Sequence, residues 1–160
     1  MTALTWSEAL ALQQPRMDST HHEFVELLAA VEQALDGSIP AVDDALARFV
    51  DHTERHFADE ERWMASLGFS AQNCHAFQHA HVLQVLREVN GLWRSEGDLN
   101  LVRQLVGELA KWFPAHAQSM DAALAQTMAE QGFDPDTGML ARPPAADAAP
   151  ITGCGSASCA

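Results

Sequence analysis

Histidine is the residue type in this sequence that most needs a chemical explanation. Eight histidines stand among apolar residues, away from the Pro- and Gly-rich end of the chain. Two pairs have helical spacing, because His56 precedes Glu60 by four residues and His75 precedes His79 by four. Residues four apart lie on one face of a helix, so the members of each pair can point in the same direction. Three further candidates complete the set: His21, His116 and Asp121.

These seven side chains are of types that bind metal ions. A lone inward histidine is usually a hydrogen-bonded core residue, and a lone His–Glu pair is usually on the surface. Five imidazoles and two carboxylates in one interior are different, since each costs roughly several kcal/mol to bury without a partner. A metal centre supplies those partners, and helical bundles build such centres from facing helices.

The composition of the set favours a particular metal. The seven donors exceed the four of a structural zinc site, and none of them is a cysteine. Imidazole suits iron, copper, zinc and nickel, whereas carboxylates suit harder ions. The mixture, with two carboxylates able to bridge, favours two iron ions a few ångström apart.

The elements that must position these residues are helices, because hydrophobic periodicity is helical throughout and no convincing strand alternation occurs. Asp18 and Ser19 are candidate N-caps of the first helix, and Ser70 is the candidate cap of the third. Pro40 is expected to open the second helix. The predicted helices run from after Pro15 to Gly37, over about 41–66, over about 71–95, and from after Asp98 to near Gly132.

Short connections favour antiparallel neighbours, so we predict an all-α, up-down-up-down antiparallel four-helix bundle with an N-terminal arm. The bundle domain should span 1–133. Residues 134–160 form a Pro-, Ala- and Gly-rich segment that we expect to be a flexible tail. The apolar stripes are interpreted as core, and on the third helix they comprise Phe77, Leu83, Leu86, Val89 and Trp93. In this arrangement the seven candidate ligands fall at one end of the bundle.

Charge and composition exclude several classes of partner. The 160 residues carry a formal net charge of −13, which would repel nucleic acid and anionic membrane surfaces. No stretch is apolar enough to span a membrane, and MTALTWSEAL does not resemble a signal peptide. Three cysteines do not make a disulfide framework. We therefore expect a cytoplasmic protein.

As a set, four segments make the sequence resemble the bacterial hemerythrins over about residues 4–131, and Trp6 fits a tryptophan common in the N-terminal arm of that family. The segments are MDSTHHEF (17–24), HFADEE (56–61), HAFQH (75–79) and WFPAHAQSMD (112–121).

The resemblance implies which residues bind each of the two irons. His75, His79 and His116 would bind one iron and His21 and His56 the other. Glu60 and Asp121 would bridge the two, together with one oxo or hydroxo oxygen. On that assignment a single coordination position remains open, on the iron with two histidines.

An open position of this kind implies reversible, end-on binding of dioxygen, for storage, delivery or buffering, rather than enzymatic catalysis. The two carboxylates supply less negative charge for high-valent iron than oxygenase-type sites do, which also favours binding. The alternatives are a di-iron oxidase, an enzyme of nitric-oxide or iron–sulfur repair type, and an oxygen or redox sensor.

Three phenylalanines are predicted to wall the dioxygen pocket: Phe24, Phe57 and Phe113. Phe113 takes a position that is often leucine in the family. Pro114 lies inside the fourth helix and should cause a local kink. His116 and Asp121 would lie about 140° apart on an ideal helix, and the sequence does not explain how both reach the irons.

The other histidines are expected outside the ligand set. His22 and His81 should face solvent or a neighbouring helix, and His52 should lie on the surface or behind the ligands. Glu61 should be a solvated charge, and Cys74 a packed thiol.

Cys154 and Cys159 form a C-x₄-C pair in the tail. The two cysteines either belong to a disordered segment without a function of its own, form a redox pair, or make a contact for metal delivery. The tail is also where an unknown protein partner would bind.

Overall fold

The computed structural model describes residues 2–153 and consists of helices joined by short connections. A 3-10 turn, Glu8–Leu10, precedes three long helices: α1 Pro15–Ala34, α2 Ile39–Ser66 and α3 Cys74–Glu96. The fourth segment is continuous but has three parts, namely α4 Leu99–His116, a π-helical turn Ala117–Asp121 and α5 Ala122–Gln131.

The helices pack as a four-helix bundle, which confirms the predicted fold. α1 contacts α2 and α4, α2 contacts α3, and α3 contacts α4. The connections at 35–38, 67–73 and 97–98 are too short for crossover, so successive helices run in opposite directions. No helix within the described residues has the length and apolar character needed to cross a membrane.

The first helix begins earlier than predicted. Pro15 is in its first turn, and the side chain of Gln14 accepts a hydrogen bond from the Met17 N–H. The predicted cap Asp18 lies inside the helix and instead accepts the Leu12 N–H at 2.7 Å. Asp18 therefore holds the N-terminal arm against the helix start rather than beginning the helix.

The start of α3 also differs from the prediction, and it matters because His75 follows at once. Asn73, not Ser70, is the N-cap, and its Oδ1 accepts the Ala76 N–H at 2.8 Å. The Asn73 amide also donates to the Ser70 carbonyl at 2.7 Å. The cap thereby fixes both the loop and the direction of the first helical turn.

Two apolar clusters fill the bundle. The main core runs along most of its length, and its largest fully buried side chains are Phe24, Leu28, Leu46, Phe49, Phe57, Leu86 and Phe113. The end cluster closes the other end and comprises Met17, Trp63, Met64, Leu67, Leu124, Ala125, Met128 and Phe133.

The candidate ligands lie between these clusters and come from all four helical segments. On α1, His21 stands between Met17 of the end cluster and Phe24 of the main core. On α2, Glu60 stands between Phe57 and Trp63. The polar layer is therefore covered by apolar side chains from both directions along the bundle axis.

Phe77 does not join the core as predicted, since its side chain is 76% exposed. His75 and His79 take the inward positions at the start of α3, and Phe77 lies about 200° around the helix from His75. The helix face here is set by the histidines rather than by the larger apolar residue.

The tail was predicted to be flexible, and the structure describes its course as far as Gly153. Arg142 donates to the carbonyls of Glu130 and Ala129 at the end of α5, at 2.7 and 3.1 Å. Farther on, Ile151 pairs with Phe69 in an isolated bridge, so the tail crosses the loop before α3. The described tail thus lies against the end of the bundle that carries the end cluster. Cys154 and Cys159 lie outside the described residues, and the roles considered for them stay predictions.

Candidate metal centre

The structure brings all seven predicted ligand residues together at one level of the bundle. Every one of them is at most 4% exposed. Their donor atoms form two overlapping groups, within each of which all atoms lie within 4.8 Å of one another. We call His75, His79 and His116 the three-histidine side, and His21 and His56 the two-histidine side. Glu60 belongs to both groups and Asp121 to the first.

Glu60 divides its two oxygens between the two sides. Oε1 is 3.0 Å from His56 Nε2 and 3.6 Å from His21 Nε2. Oε2 is 3.3 Å from Nε2 of both His75 and His79. A carboxylate placed in this way can donate one oxygen to each of two neighbouring cations.

Asp121 has the same arrangement from the opposite helix. Its Oδ2 is 3.2 Å from His21 Nε2. Its Oδ1 is 3.0 Å from His75 Nε2 and 3.2 Å from His116 Nε2. Both carboxylates therefore span the boundary between the two sides.

The π-helical turn explains how His116 and Asp121 reach the same place. Its hydrogen bond joins the Ala122 N–H to the Ala117 carbonyl, five residues earlier, and this wider turn brings residues five apart onto one face. Ser119 Oγ donates to the Ala115 carbonyl at 2.6 Å, supplying a side-chain partner near the interrupted α-helical ladder. Pro114 comes just before, where it removes one backbone donor from α4.

The carboxylates and imidazoles shift one another's proton affinity strongly. Burial alone would raise the pKa of Glu60, but His56 and the neighbouring imidazoles hold it well below its usual range. Burial and Glu60 act upward on the pKa of Asp121 as well, yet His116 and His21 outweigh them and lower it. Both carboxylates are therefore ionised.

Two histidines hold protons tightly in return. Burial alone would lower the pKa of His21, but Asp121 and Glu60 outweigh it and raise that pKa to about 10. The same carboxylates raise the pKa of His75 to about 9, again against burial. A cation that binds here takes the place of these protons, which is the usual linkage between metal binding and proton release.

The buried polar atoms fit a metal centre. Within residues 2–153, Nε2 of His21, His75, His79 and His116 has no hydrogen-bond partner, nor have Glu60 Oε2 and both oxygens of Asp121. Groups of this kind are rarely left unpaired in a protein interior, because each costs free energy to desolvate. All seven atoms point into one space, and together they match the nitrogen and oxygen ligand set of a transition metal.

Two residues that sequence reasoning did not assign to the site lie behind the three-histidine side, one within hydrogen-bond distance of His116 and one near His79 without a hydrogen bond. Gln78 Oε1 is 2.8 Å from His116 Nδ1, so an Nδ1–H donor there leaves the Nε2 lone pair facing the centre. Glu61 Oε1 is 3.5 Å from His79 Nδ1, although we expected Glu61 to be only a solvated charge. Outer partners of this type orient metal-binding imidazoles. The available signal was their position, each directly beside a ligand in the sequence.

Aromatic rings cover the two sides differently. Phe24 and Phe113 stack on each other with ring centroids 4.3 Å apart, and Phe113 meets the His21 ring edge-on at 5.2 Å. The predicted pocket residue Phe57 stacks on His79 at 3.9 Å and lies 5.3 Å from His56. Trp112 stacks on His116 at 4.3 Å. Phe24 and Phe113 thus border the two-histidine side, while Phe57 contacts both.

The remaining histidines and Cys74 belong to neither group of donors. His22 is half-exposed and pairs with Glu26, and His81 is exposed. His52 is buried, and burial followed by the charge of His56 lowers its pKa to about 4. His22, His52 and His81 thus lie outside both groups of donors, and the prediction that they bind no metal stays a prediction.

Comparison with known proteins points to one family. The family model for the hemerythrin HHE cation binding domain matches residues 14–127. The bacteriohemerythrin of Ralstonia nicotianae (strain ATCC BAA-1114 / GMI1000) is 39% identical over 134 residues, which cover 84% of this chain and 95% of that protein.

More distant relatives carry the same name. The bacteriohemerythrin of Pseudomonas aeruginosa (strain LESB58) is 26% identical over 123 residues, or 76% of this chain and 79% of the relative. The bacteriohemerythrin of Stenotrophomonas maltophilia (strain R551-3) is 26% identical over 126 residues, which cover 78% of this chain and 81% of the relative.

Proposed function

Because the chain belongs to the hemerythrin family, we propose that it holds two iron ions and binds dioxygen reversibly, as a carrier, store or buffer rather than as an enzyme. The premise rests on the match of the family model over residues 14–127 and on the relative that is 39% identical over most of both chains.

One observation carries the dinuclear part of the proposal. The two oxygens of Glu60 face different histidine groups, Oε1 toward His56 at 3.0 Å and Oε2 toward His79 at 3.3 Å. A single cation would leave one oxygen and one histidine group unused in a buried layer. Two cations, one on each side, give every unpaired Nε2 and carboxylate oxygen of the seven candidate ligands a partner.

The protein holds and shields this centre. When bound, the two irons would supply both electrons that dioxygen takes up and returns. The chain supplies ligands from four helical segments, and the apolar clusters on either side exclude water from the layer between them.

We place dioxygen on the two-histidine side, which offers one imidazole fewer than the other. The stacked rings of Phe24 and Phe113 border this side. A small neutral molecule enters such an apolar wall at little cost, whereas water and anions must shed hydration first. This supports selective binding of a diatomic gas.

Reversibility is the property that tests the proposal. The purified protein is expected to contain about two irons per chain, as the donor set of two octahedral sites requires. After anaerobic reduction, admitting air should change the absorption spectrum, and removing oxygen under vacuum should restore it over repeated cycles.

Other outcomes would point elsewhere. One-way oxidation that does not return under vacuum would favour an oxidase or a redox sensor. About one zinc per chain with negligible iron, in protein from cells grown with adequate iron, would exclude the di-iron centre.

A further inference from the structure

A cleft between α1 and α2 ends on a buried histidine. The cleft has a volume of about 490 Å³, and its walls include Glu23 and Leu27 on α1 and Arg48, Asp51 and His52 on α2. His52 is only 6% exposed, so it forms the floor rather than the rim. The space outside it is large enough to receive an imidazole ring.

The His52 ring is tethered on its outer side. Nδ1 is 3.5 Å from the Glu23 carboxylate, whose side chain is 62% exposed in the cleft. Nε2 is buried and has no hydrogen-bond partner within residues 2–153. The backbone of Thr20, also on α1, is a further polar contact of the ring, so the polar contacts of His52 face α1 and none is made at Nε2.

Behind His52 lies the two-histidine side. The ring centroid of His52 is 5.8 Å from that of His56 and 6.5 Å from that of Phe24. Phe24 and His56 are themselves 6.3 Å apart. The three rings are mutual neighbours, and His52 is the one that faces the cleft.

Other directions of approach are less direct. Along the bundle axis, the stacked pair of Phe24 and Phe113 joins the main core, and the cleft that borders this core is lined by Leu35 and Val106 rather than by either ring. Two other clefts are lined by residues behind the three-histidine side, one by Gln78 near His116 and one by Glu61 near His79. The cleft above His52 is thus a lateral route from solvent to the two-histidine side.

We propose that His52 is the gate through which small exogenous ligands reach the two-histidine side, opening when its ring turns into the α1–α2 cleft. The inference rests on the proposed function in naming dioxygen as the physiological ligand. The gate controls passage and makes no contact with the bound ligand, so it sets both rates and leaves the equilibrium unchanged.

The first test compares ligand kinetics in the iron-loaded parent and in His52→Ala. A gate that is open for only about a tenth of the time or less slows passage in proportion, as for other minor conformers. We therefore expect His52→Ala to raise the association and dissociation rate constants of both dioxygen and azide by about tenfold or more, with Kd unchanged. His52→Phe, which refills the space with a ring, should return the rates toward or below those of the parent. His81→Ala, the loss of an exposed imidazole on α3, is the matched control.

The second test needs no metal. Exchange of the histidine C2 hydrogen with deuterated solvent, read by tandem mass spectrometry, reports water access to each ring of the metal-free chain. His52→Ala should accelerate exchange at His21, on the two-histidine side. Exchange at His79, on the other side, should stay as in the parent.

Each result decides the proposal. Unchanged rates in His52→Ala, or a changed Kd with an unchanged association rate, would overturn the gate. If oxygenation proves irreversible, the proposed function fails while azide kinetics on the oxidised protein still decide the gate. If the chain holds no iron, the proposed function fails, and hydrogen exchange at the histidines alone tests the gate. Unaltered exchange at His21 in His52→Ala would then contradict the gate.

Discussion

The three-histidine and two-histidine sides use the same kind of ligand but are held differently. On the three-histidine side, Nδ1 of His116 has a hydrogen-bond partner in Gln78 at 2.8 Å, and Nδ1 of His79 has no hydrogen bond but lies 3.5 Å from the Glu61 carboxylate. On the two-histidine side, Nδ1 of His21 and of His56 has no hydrogen-bond partner among residues 2–153. Outer hydrogen bonds fix the orientation of an imidazole and raise its affinity for metal.

The aromatic rings around the two sides also differ. Trp112 and Phe57 stack flat on His116 and His79, which restricts those rings further. On the other side Phe113 touches His21 edge-on, and His52 separates His56 from a solvent cleft. Under the proposed function, this difference would divide the work, with one side retaining its metal and the other exchanging a ligand.

Loss of Glu60, which contacts both sides, should remove the metal from both the three-histidine and the two-histidine side. Glu60→Ala removes the residue that contacts four of the five imidazoles, so we expect iron to fall from about two per chain to almost none. Elemental analysis of the purified variant gives the answer. Glu88→Ala, which removes an exposed carboxylate on α3, should keep full iron content. A Glu60→Ala protein that still held two irons would refute its bridging role.

A single histidine loss should separate the two sides. His56→Ala leaves the three-histidine side and both carboxylates intact, so we expect about one iron per chain to remain. His79→Ala disturbs the better-held side and should retain less iron than His56→Ala. Iron content measured on both variants under the same loading conditions makes the comparison. Equal losses would mean that the outer partners do not make one side more retentive.

An outer partner should affect affinity more than stoichiometry. Gln78→Leu removes the acceptor beside His116 Nδ1, which should weaken the affinity for iron by about 10- to 100-fold. At saturating iron, the variant should still bind about as many irons per chain as the parent. Competition with a calibrated chelator measures the affinity. Gln78→Glu retains an acceptor and should recover most of the loss. Gln84→Leu, a surface glutamine on the same helix, is the control, and an equal effect there would contradict the positioning role.

The smallest expected change concerns the phenyl wall. Phe113→Leu keeps an apolar side chain in the core but removes the ring that meets His21, so two irons should stay bound. Azide should bind several-fold faster and the oxygenated form should decay sooner, because water and anions enter the thinner wall at lower cost. Both rates can be followed optically on one sample.

A core phenylalanine away from the centre provides the comparison for Phe113. Phe49 packs against Phe24 with centroids 5.0 Å apart, and none of the described aromatic pairs joins it to a histidine. Phe49→Leu should leave both rates as in the parent. If the Phe113→Leu rates also matched the parent, that ring would be ordinary core packing.

Much of the fold could be predicted because helical signals are local. Apolar periodicity marked the helices, Pro40 and Asp98 lie at the helix boundaries where they were expected, and the short connections allowed only antiparallel neighbours. Caps were harder, since several polar residues near a helix start can compete for the same N–H groups. Gln14 and Asn73 serve as caps, while Asp18 and Ser70 bond to other parts of the loops.

The orientation of individual side chains also depended on distant residues. Phe77 is the most apolar residue of its turn, yet it faces solvent because His75 and His79 take the interior positions. Gln78 and Glu61 gave no periodic signal, and their contacts with His116 and His79 appear only once α3 packs beside α4 and α2.

The sequence by itself determined the pairs four residues apart, His56 with Glu60 and His75 with His79, because one α-helical turn places such residues on a common face whatever surrounds them. It could not determine how His116 and Asp121 meet, since five residues on a regular helix point away from each other. The tertiary structure decides that through the π-helical turn Ala117–Asp121, in which Asp121 swings back to face the imidazoles of three neighbouring helical segments. A wider turn forgoes regular α-helical hydrogen bonding, and it is stable here because the buried carboxylate gains the attraction of those histidines and Ser119 satisfies a carbonyl beside the turn.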